Sequence, residues 1–223
     1  MNPTNETQTT PDPHFVDIAK GILERHRPAF EALAKGGGTE IPPPSEGRRL
    51  RRPWKIVSGG QTGVDRAGLV AAMELGLPTG GWVPCGRLAE DGVVPAMFST
   101  LRECPTGGFR ERTRVNVIDS DATLILVDAL PLVGGTGYTA EYAAKNGRPC
   151  KAFLLSDETA AAQIRDWMLS LEVSVRPGAD GPIVLNVAGP RESGAPGIFE
   201  RAKKTLLEAF AGFRPVEDGA DKR

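Results

Sequence analysis

The chain has 223 residues, 40% of them hydrophobic, and a formal net charge of −1. This length allows one large α/β domain with additional segments, and the near-zero charge excludes a general electrostatic attraction to nucleic acid. No apolar run reaches the roughly 18 residues of a transmembrane helix, and the first residues lack the basic and apolar regions of a secretory signal. Three dispersed cysteines favour reduced thiols over a disulfide framework, so we expect a cytoplasmic protein without a membrane partner.

Residues 1–53 are predicted to form an N-terminal extension. The first dozen are polar and are expected to be disordered. An amphipathic stretch with Pro28 inside it predicts one or two short helices. A linker rich in Gly and Pro follows, and its basic cluster at residues 48–52 is interpreted as solvated. Residues 54–212 are predicted to be the folded domain, and 213–223 a C-terminal tail.

A regular alternation of strands and helices begins at residue 54. The predicted strands are 54–58, 80–83, 122–127, 149–155 and 182–189. The predicted helices are 63–76, 109–120, 136–147, 157–171 and 196–212, whereas 85–108 is expected to be mostly loop. This pattern is typical of a parallel sheet covered by helices on both faces, so we predict a doubly wound, mainly parallel α/β sandwich of three layers. Ligands of such sheets bind beyond the carboxyl ends of the strands.

Three glycine-rich loops join a predicted strand to a predicted helix. They are the first loop (58–66), the second loop (134–141) and the third loop (188–197). In a parallel sheet all three emerge at one edge, where helix N-termini supply unpaired N–H donors. Thr62 can cap its helix or donate its hydroxyl, and Arg66 and Arg191 can supply forked hydrogen bonds. The loops therefore predict a phosphate or oxyanion site, with Asp65 either lining it or balancing the helix dipole.

Standard nucleotide and catalytic motifs fit less well. The chain has no P-loop, and its two histidines lie in the N-terminal region, so neither a Ser-His-Asp triad nor a zinc site is expected in the domain. Residues 135–140 match the G-x-G-x-x-A pattern, and Asp157 could serve as a ribose-binding acid. However, the segment VDALPLV separates the apolar strand from these glycines, whereas the dinucleotide-binding motif follows its strand directly. This spacing disfavours a dinucleotide-binding enzyme.

Several blocks together resemble one family. They are SGGQTGVDRAGL, GGWVPCGRLAEDG, RTRVNVIDSDATLIL, GGTGYTAEYAAKNGRPC and LNVAGPRESGAPGIF, which fall between residues 58 and 199. They are similar to the molybdenum carrier proteins, also described as molybdenum-cofactor carriers, a circularly permuted branch of the superfamily of LOG phosphoribohydrolases and DprA proteins. The resemblance covers about residues 54–211 and implies a Rossmann-like fold, homodimers or homotetramers, and binding of molybdenum cofactor or molybdate. It also makes molybdoenzymes possible partners.

The resemblance implies a site for a small anionic ligand built from the three loops. Both molybdate and the phosphate of the cofactor suit backbone N–H groups at helix N-termini. The residues that would line the site are Gly59, Gly60, Gln61, Thr62, Gly63, Asp65, Arg66, Gly134, Gly135, Thr136, Gly137, Gly189, Pro190 and Arg191. Trp82 could offer a flat face to a pterin or purine ring, although a core position is slightly favoured.

The LOG enzymes supply an enzymatic alternative. Their P-G-G-x-G-T-x-x-E motif is similar to residues 133–141, with Val133 in place of proline and Tyr138 in place of threonine. Glu141 would then be the catalytic carboxylate in cleavage of a nucleotide N-glycosidic bond. A first-turn partner of the helix dipole is the simpler role for Glu141. A binding protein is therefore expected, with a nucleotide phosphoribohydrolase or a nucleotide-ligand sensor as the alternatives.

Overall fold

The computed structural model describes residues 54–174 and 181–212. The predictions for the N-terminal extension, including its basic cluster, and for the C-terminal tail lie outside these residues. The predicted α/β fold is confirmed for the described part, which contains nine strands and five α-helices. The strands are β1 Trp54–Val57, β2 Thr79–Gly80, β3 Trp82–Val83, β4 Leu88–Ala89, β5 Gly92–Val93, β6 Arg102–Glu103, β7 Ala122–Val127, β8 Cys150–Leu154 and β9 Ile183–Ala188. The helices are α1 Val64–Glu74, α2 Phe109–Ile118, α3 Gly134–Lys145, α4 Ala160–Ser174 and α5 Ile198–Phe210.

Five strands form one parallel sheet in the order β2-β1-β9-β7-β8. Counting from β9 instead of β1 turns this order into 3-2-1-4-5, the order of a doubly wound nucleotide-binding sheet. The chain is therefore a circular permutation of that topology, with its last strand in the central position. The direction of winding reverses between β9 and β7, and this switch point is where ligands of such sheets bind.

The helices cover both faces of the sheet. One face packs α1, α4 and α5 against the strands in the largest apolar cluster, whose members include Val64, Ile164, Leu185 and Leu206. The opposite face carries α3 over Ile125 and Val127 of β7, with α2 beside it. Every residue of β7 is buried, which explains its uninterrupted run of apolar and β-branched residues.

The predicted elements differ from the structure mainly where the chain turns sharply. The expected strand 80–83 is two strands in different sheets, since β2 pairs with β1 and β3 pairs with β6. Gly81, between them, adopts a φ of 121° and lies against the backbone of Ser58, where a Cβ would clash. Helix α3 begins two residues before its predicted start, and α4 begins at Ala160 because Asp157 forms a turn with Thr159 first.

Segment 85–108, expected to be mostly loop, contains three of the short strands. Its Val94, Phe98 and Leu101 pack with Val83 against Leu69 of α1 in a second apolar cluster. Strands β4 and β5 form a small antiparallel hairpin, in which Leu88 pairs with Val93 and Ala89 with Gly92. This segment therefore has its own core and holds the hairpin beside the first loop.

The first and third loops are in direct contact. A Cβ on Gly63 would lie 2.5 Å from the carbonyl oxygen of Pro190, and one on Gly189 would lie 2.6 Å from Val64 Cγ2. Gly63 also adopts a φ of 72°, which side chains other than glycine rarely accept. These glycines bring the two loops together at the edge of the sheet.

Gly63→Ala is expected to lower the free energy of unfolding by at least about 2 kcal/mol, because it combines an unfavourable φ with a backbone clash. Gly135→Ala is the matched control, since a Cβ there meets no atom within 4 Å in the described part of the chain. We expect it to change stability by less than about 1 kcal/mol. Urea unfolding of both variants measures the difference, and equal losses would contradict the packing role of Gly63.

Candidate functional site

The three glycine loops lie side by side at the carboxyl edge of the sheet. The first follows β1, the third follows the neighbouring β9, and the second follows β7, which pairs with β9 on its other side. The structure thus brings together the segments that the sequence singled out. The N–H groups that each helix N-terminus presents must find acceptors, and these acceptors differ between the loops.

The N-terminus of α5, in the third loop, is satisfied by the protein itself. The carboxylate of Glu192 accepts hydrogen bonds from the N–H of Gly197 and, at 3.1 Å, from the N–H of Phe199. An internal carboxylate therefore occupies the position where an external anion was expected.

Several N–H groups of the first loop are also satisfied from within. Gln61 N donates to Asp65 Oδ2 at 3.2 Å, Thr62 N to Gln61 Oε1 at 3.1 Å, and Val64 N to the carbonyl of Pro190 at 3.2 Å. Gly60 has a φ of 72°, and a Cβ there would lie 3.0 Å from Val83 Cγ1. A glycine is thus required at position 60 by the packing of the second apolar cluster, and not by the close approach of a ligand.

The two arginines predicted to bind the anion are paired with carboxylates of the β4–β5 hairpin. Arg66 forms a forked pair with Asp91, at 2.6 and 2.7 Å, and donates from Nε to the carbonyl of Gly60. Arg191 lies 3.4 Å from Glu90 Oε2. The Arg66 guanidinium is therefore engaged by the hairpin, whereas the Arg191 side chain is 61% exposed and its ion pair in the described part of the chain is this one contact of Nε.

The second loop is different, because the N-terminus of α3 is open. The first N–H with an acceptor is that of Gly137, which donates to Val133, so within the described residues those of Gly134, Gly135 and Thr136 have none. A Cβ on Gly134 or Gly135 would meet no atom of residues 54–174 or 181–212 within 4 Å, whereas one on Gly137 would lie 2.9 Å from the carbonyl oxygen of Leu132. Of the three predicted anion-binding helix ends, this one has the most first-turn N–H groups without an acceptor among the described residues.

Arg112 on α2 is a basic residue of the site that the sequence analysis did not assign. Its guanidinium lies over Gly59, where a Cβ would come within 1.5 Å of Nη1. Nη1 donates to Asp65 Oδ2 at 2.7 Å, whereas the buried Nε has no hydrogen-bond partner in the described part of the chain. Only 14% of the Arg112 side chain and 5% of the Asp65 side chain are exposed. Gly59 is therefore needed to let the arginine pass.

Asp65 holds Arg112 in place and does not act as an exposed partner of the helix dipole. Burial raises the pKa of Asp65 above its ordinary value, in spite of the Arg112 guanidinium and the Gln61 N–H, which both favour the charged form. The pair thus contains two charges removed from water, and each depends on the other.

Arg112 lines a small polar cleft on the α2 and α3 face of the sheet, near the switch point. Asp65, Thr139 and Asn186 also line it, so the cleft joins α1, α2, α3 and β9. Its volume of about 10 Å³ is sufficient for one water or one oxygen atom. Thr139 donates to the carbonyl of Gly135, so the cleft adjoins the first turns of the open helix.

A larger groove of about 780 Å³ lies on the other side of the first loop. Its lining includes Thr62, Gly63 and Arg66 from the predicted site, but also four carboxylates. These carboxylates belong to Glu90, Asp91, Glu192 and Glu200. Such a lining disfavours an anion in the resting structure, although this groove is far larger than the cleft beside Arg112.

Two further sequence candidates lie apart from both cavities. Glu141 is exposed on α3 and makes no hydrogen bond or ion pair with another described residue. Trp82 is only partly buried, with its Nε1 donating to Asp119 at 2.7 Å and Arg102 beside its ring. The core position favoured for Trp82 is therefore wrong, and the structure does not place its ring at a cavity.

Arg112 and Glu90 are the important residues that the sequence analysis missed. A signal for Arg112 was present, since Arg112 and Asn116 are polar at helical spacing on the face of α2 that turns inward. Asn116 pairs with the backbone of Trp82, at 2.9 Å in both directions. Glu90 lies in segment 85–108, which was expected to be mostly loop, and no local pattern indicates its distant partners.

Comparison with known proteins agrees with the permuted strand order. Residues 56–210 match the model of the circularly permutated YpsA SLOG family. The chain belongs to this family. The chain is also similar to a protein of known crystal structure, the putative molybdenum carrier protein from Syntrophus aciditrophicus SB. The two sequences are 42% identical, and the two structures superpose with a TM-score of 0.63. The match covers 72% of this chain and 96% of that protein. No curated protein is similar enough to be matched.

Within this SLOG family domain, the described residues contain no group of three or more His, Cys, Asp or Glu placed to hold a metal ion. None of the described helices combines the length and apolarity needed to span a bilayer.

Arg112→Met is expected to lower the free energy of unfolding by about 3–5 kcal/mol at pH 7, because it leaves the buried Asp65 carboxylate without its partner. The loss should be smaller at pH 5. Without Arg112 the Asp65 pKa rises further above its ordinary 3.8, and the protonated acid needs no partner. Urea unfolding at both pH values measures this.

The exposed Arg110 on the same helix supplies the control, since Arg110→Met should lower the free energy of unfolding by less than about 0.5 kcal/mol. The double variant Asp65→Asn/Arg112→Met should lose less free energy of unfolding than the two single variants lose when their losses are added. Additive losses would mean that the two side chains act independently.

Proposed function

We propose that this SLOG family protein binds and carries an oxyanionic molybdenum species, either molybdate or the molybdenum cofactor. The ligand's oxyanion would lie at the open N-terminus of α3, with one oxygen directed toward Arg112. The observation that carries the proposal is the buried Nε of Arg112, which lacks a partner among the described residues.

The orphaned Nε is a physical reason to expect an acceptor. A buried N–H without a hydrogen bond costs about 1–3 kcal/mol, so such groups persist where a water or ligand satisfies them. The cleft beside Arg112 has room for one oxygen atom, which is what an oxyanion can insert. The residues present therefore fit an oxyanion, whether it is molybdate or a phosphate group.

The open helix end supplies the remaining donors. The N–H groups of Gly134, Gly135 and Thr136 need acceptors, and the positive end of the helix dipole favours an anion there. No atom of the described residues lies within 4 Å of a Cβ on Gly135, and this leaves space for the ligand. Thr139 links the same turn to the cleft that Arg112 lines.

The charge balance suits a carrier. Asp65 already neutralises Arg112, so a bound anion would be held by directed hydrogen bonds and a helix dipole rather than by an unpaired cation. Such binding depends on geometry and permits release, which a protein that delivers its ligand requires. The name of the relative from Syntrophus aciditrophicus supports molybdenum as the element concerned.

The ligand can be identified by native mass spectrometry of protein isolated from cells grown with molybdate. A retained mass corresponding to the pterin cofactor supports cofactor carriage, and molybdenum without an organic mass supports molybdate. A retained nucleotide with no molybdenum would contradict the proposal.

Arg112→Lys tests the position of the ligand. Lysine keeps a positive charge beside Asp65 but removes the forked guanidinium and the Nε–H. We expect molybdate affinity in calorimetry to fall by about 10-fold to 100-fold, the scale of a lost hydrogen bond to a charged group. Arg110→Lys is the control, because Arg110 is exposed and lies over the Tyr138 ring. The molybdate affinity of this variant should match that of the wild type.

Gly135→Val provides a second variant that leaves the Arg112–Asp65 pair intact. Its side chain would enter the open space at the start of α3, so binding should be lost in a protein that still folds. Wild-type affinity in both Arg112→Lys and Gly135→Val would place the ligand elsewhere. Release of free base from a nucleoside monophosphate, abolished by Glu141→Gln, would favour the phosphoribohydrolase instead.

A further inference from the structure

The carboxylate of Glu90 is bound by donors from two of the glycine loops. Thr62 Oγ1 of the first loop donates to Glu90 Oε1, and Ser193 Oγ of the third loop donates to Oε2. Ser193 N adds a hydrogen bond of 3.1 Å to Oε1, and Arg191 Nε lies 3.4 Å from Oε2. Only 16% of the Glu90 side chain is exposed.

These donors converge on Glu90 from distant parts of the chain, since Thr62 and Ser193 are brought together by the contact of Gly63 with Pro190. Thr62 Oγ1 also accepts a hydrogen bond of 3.1 Å from Glu192 N, which fixes its hydroxyl proton toward Glu90. Two hydroxyls, a backbone N–H and a guanidinium form a donor set that suits a phosphate or another oxyanion equally well.

We infer that Thr62, Arg191 and Ser193 form a second oxyanion site, the Thr62–Ser193 seat, which the protein's own Glu90 occupies at rest. An external organic phosphate binds there when the β4–β5 hairpin moves and withdraws Glu90. This seat is separate from the Arg112 site, and it does not depend on the function proposed above.

Little apolar packing holds the two strands of the hairpin in place. Its strands contain two residues each, and Leu88 and Val93 are 52% and 63% exposed. An isolated two-stranded hairpin of this length has little stability of its own. Its base is fixed, because Val94 is buried and Arg87 donates to the carbonyls of Phe98 and Leu101 at 3.2 and 3.1 Å.

The hairpin tip is held mainly by polar contacts. Besides the Glu90 carboxylate, Glu90 N donates to Gln61 Oε1 at 2.9 Å, and Asp91 pairs with Arg66. An anion that replaces Glu90 at its donors removes the attachments made by the Glu90 carboxylate. Because one anion replaces another, the donors of the seat have an acceptor both before and after the exchange.

The groove of about 780 Å³ beside the seat indicates the rest of the ligand. Its volume is typical of a site for a small organic molecule. Its apolar lining is formed by Val70, Pro95, Met97, Phe98 and Phe199. The seat would therefore take the phosphate of a ligand whose apolar or aromatic body lies in this groove.

The remaining carboxylates of the groove explain why binding at rest should be weak. Asp91 is paired with Arg66 and Glu192 caps α5, whereas Glu200 makes no hydrogen bond or ion pair with another described residue. Glu90 therefore acts in two ways, by occupying the donors and by adding negative charge. The test must separate these two effects.

The test measures the affinity of inorganic phosphate by calorimetry in an Arg112→Lys background, which weakens binding at the other site. Glu90→Ala should bind phosphate at least about tenfold more tightly than its parent, because the internal competitor is gone. Glu90→Gln keeps the size of the side chain and the fold of the hairpin, and a smaller gain of about threefold is expected. No gain in either variant would overturn the inference.

Glu200→Ala is the matched control for charge, since it removes a carboxylate from the same groove without freeing any donor of the seat. Its gain should be less than about twofold, because an exposed charge is well screened. Adding Thr62→Val to Glu90→Ala should return the affinity to that of the parent. An equal gain in Glu200→Ala, or a gain that survives Thr62→Val, would mean that Glu90 only anchors the hairpin.

Discussion

Helices that begin at the carboxyl edge of a parallel sheet present N–H groups with no acceptor inside the helix, and this requirement organises the whole edge. The protein meets it internally at two of the three glycine loops. Glu192 accepts from the N-terminus of α5, and Asp65 and Pro190 accept from the first loop. The N-terminus of α3 has no such acceptor among the described residues, so it differs from its neighbours. The distribution of carboxylates, more than the distribution of glycines, decides where an anion can bind.

The Arg112–Asp65 pair connects this edge to the packing beneath it. Arg112 comes from α2, passes over Gly59 and reaches Asp65 on α1, so the pair joins the helix of one sheet face to that of the other. A buried ion pair contributes little net stability, but breaking it is costly. The same guanidinium retains an unsatisfied Nε at the switch point. One side chain therefore contributes both to the assembly of the loops and to the chemistry of the candidate site.

Local patterns in the sequence were sufficient for the four longer strands, the helices and the meeting of the three loops, but not for the short strands of segment 79–103. Alternating apolar and amphipathic segments predict the parallel sheet, and the carboxyl ends of its strands must share an edge. The order of the strands could not be predicted in this way, because the position of β9 between β1 and β7 depends on pairings between distant segments. The partners of Glu90 and Arg112 could not be predicted either, because they also come from distant segments of the chain. Arg66 and Arg191 were identified as cations at the edge, but only the fold shows that Asp91 and Glu90 already accompany them.

The central claim, that the open end of α3 beside Arg112 holds the oxyanion, can be examined most directly by crystallography with tungstate, a heavy tetrahedral analogue of molybdate. The account predicts an anomalous difference peak whose oxygens lie within hydrogen-bond reach of Arg112 and of the N–H groups of Gly135 and Thr136. Tungstate bound only in the groove on the other side of the first loop, or only at exposed lysines and arginines, would contradict it.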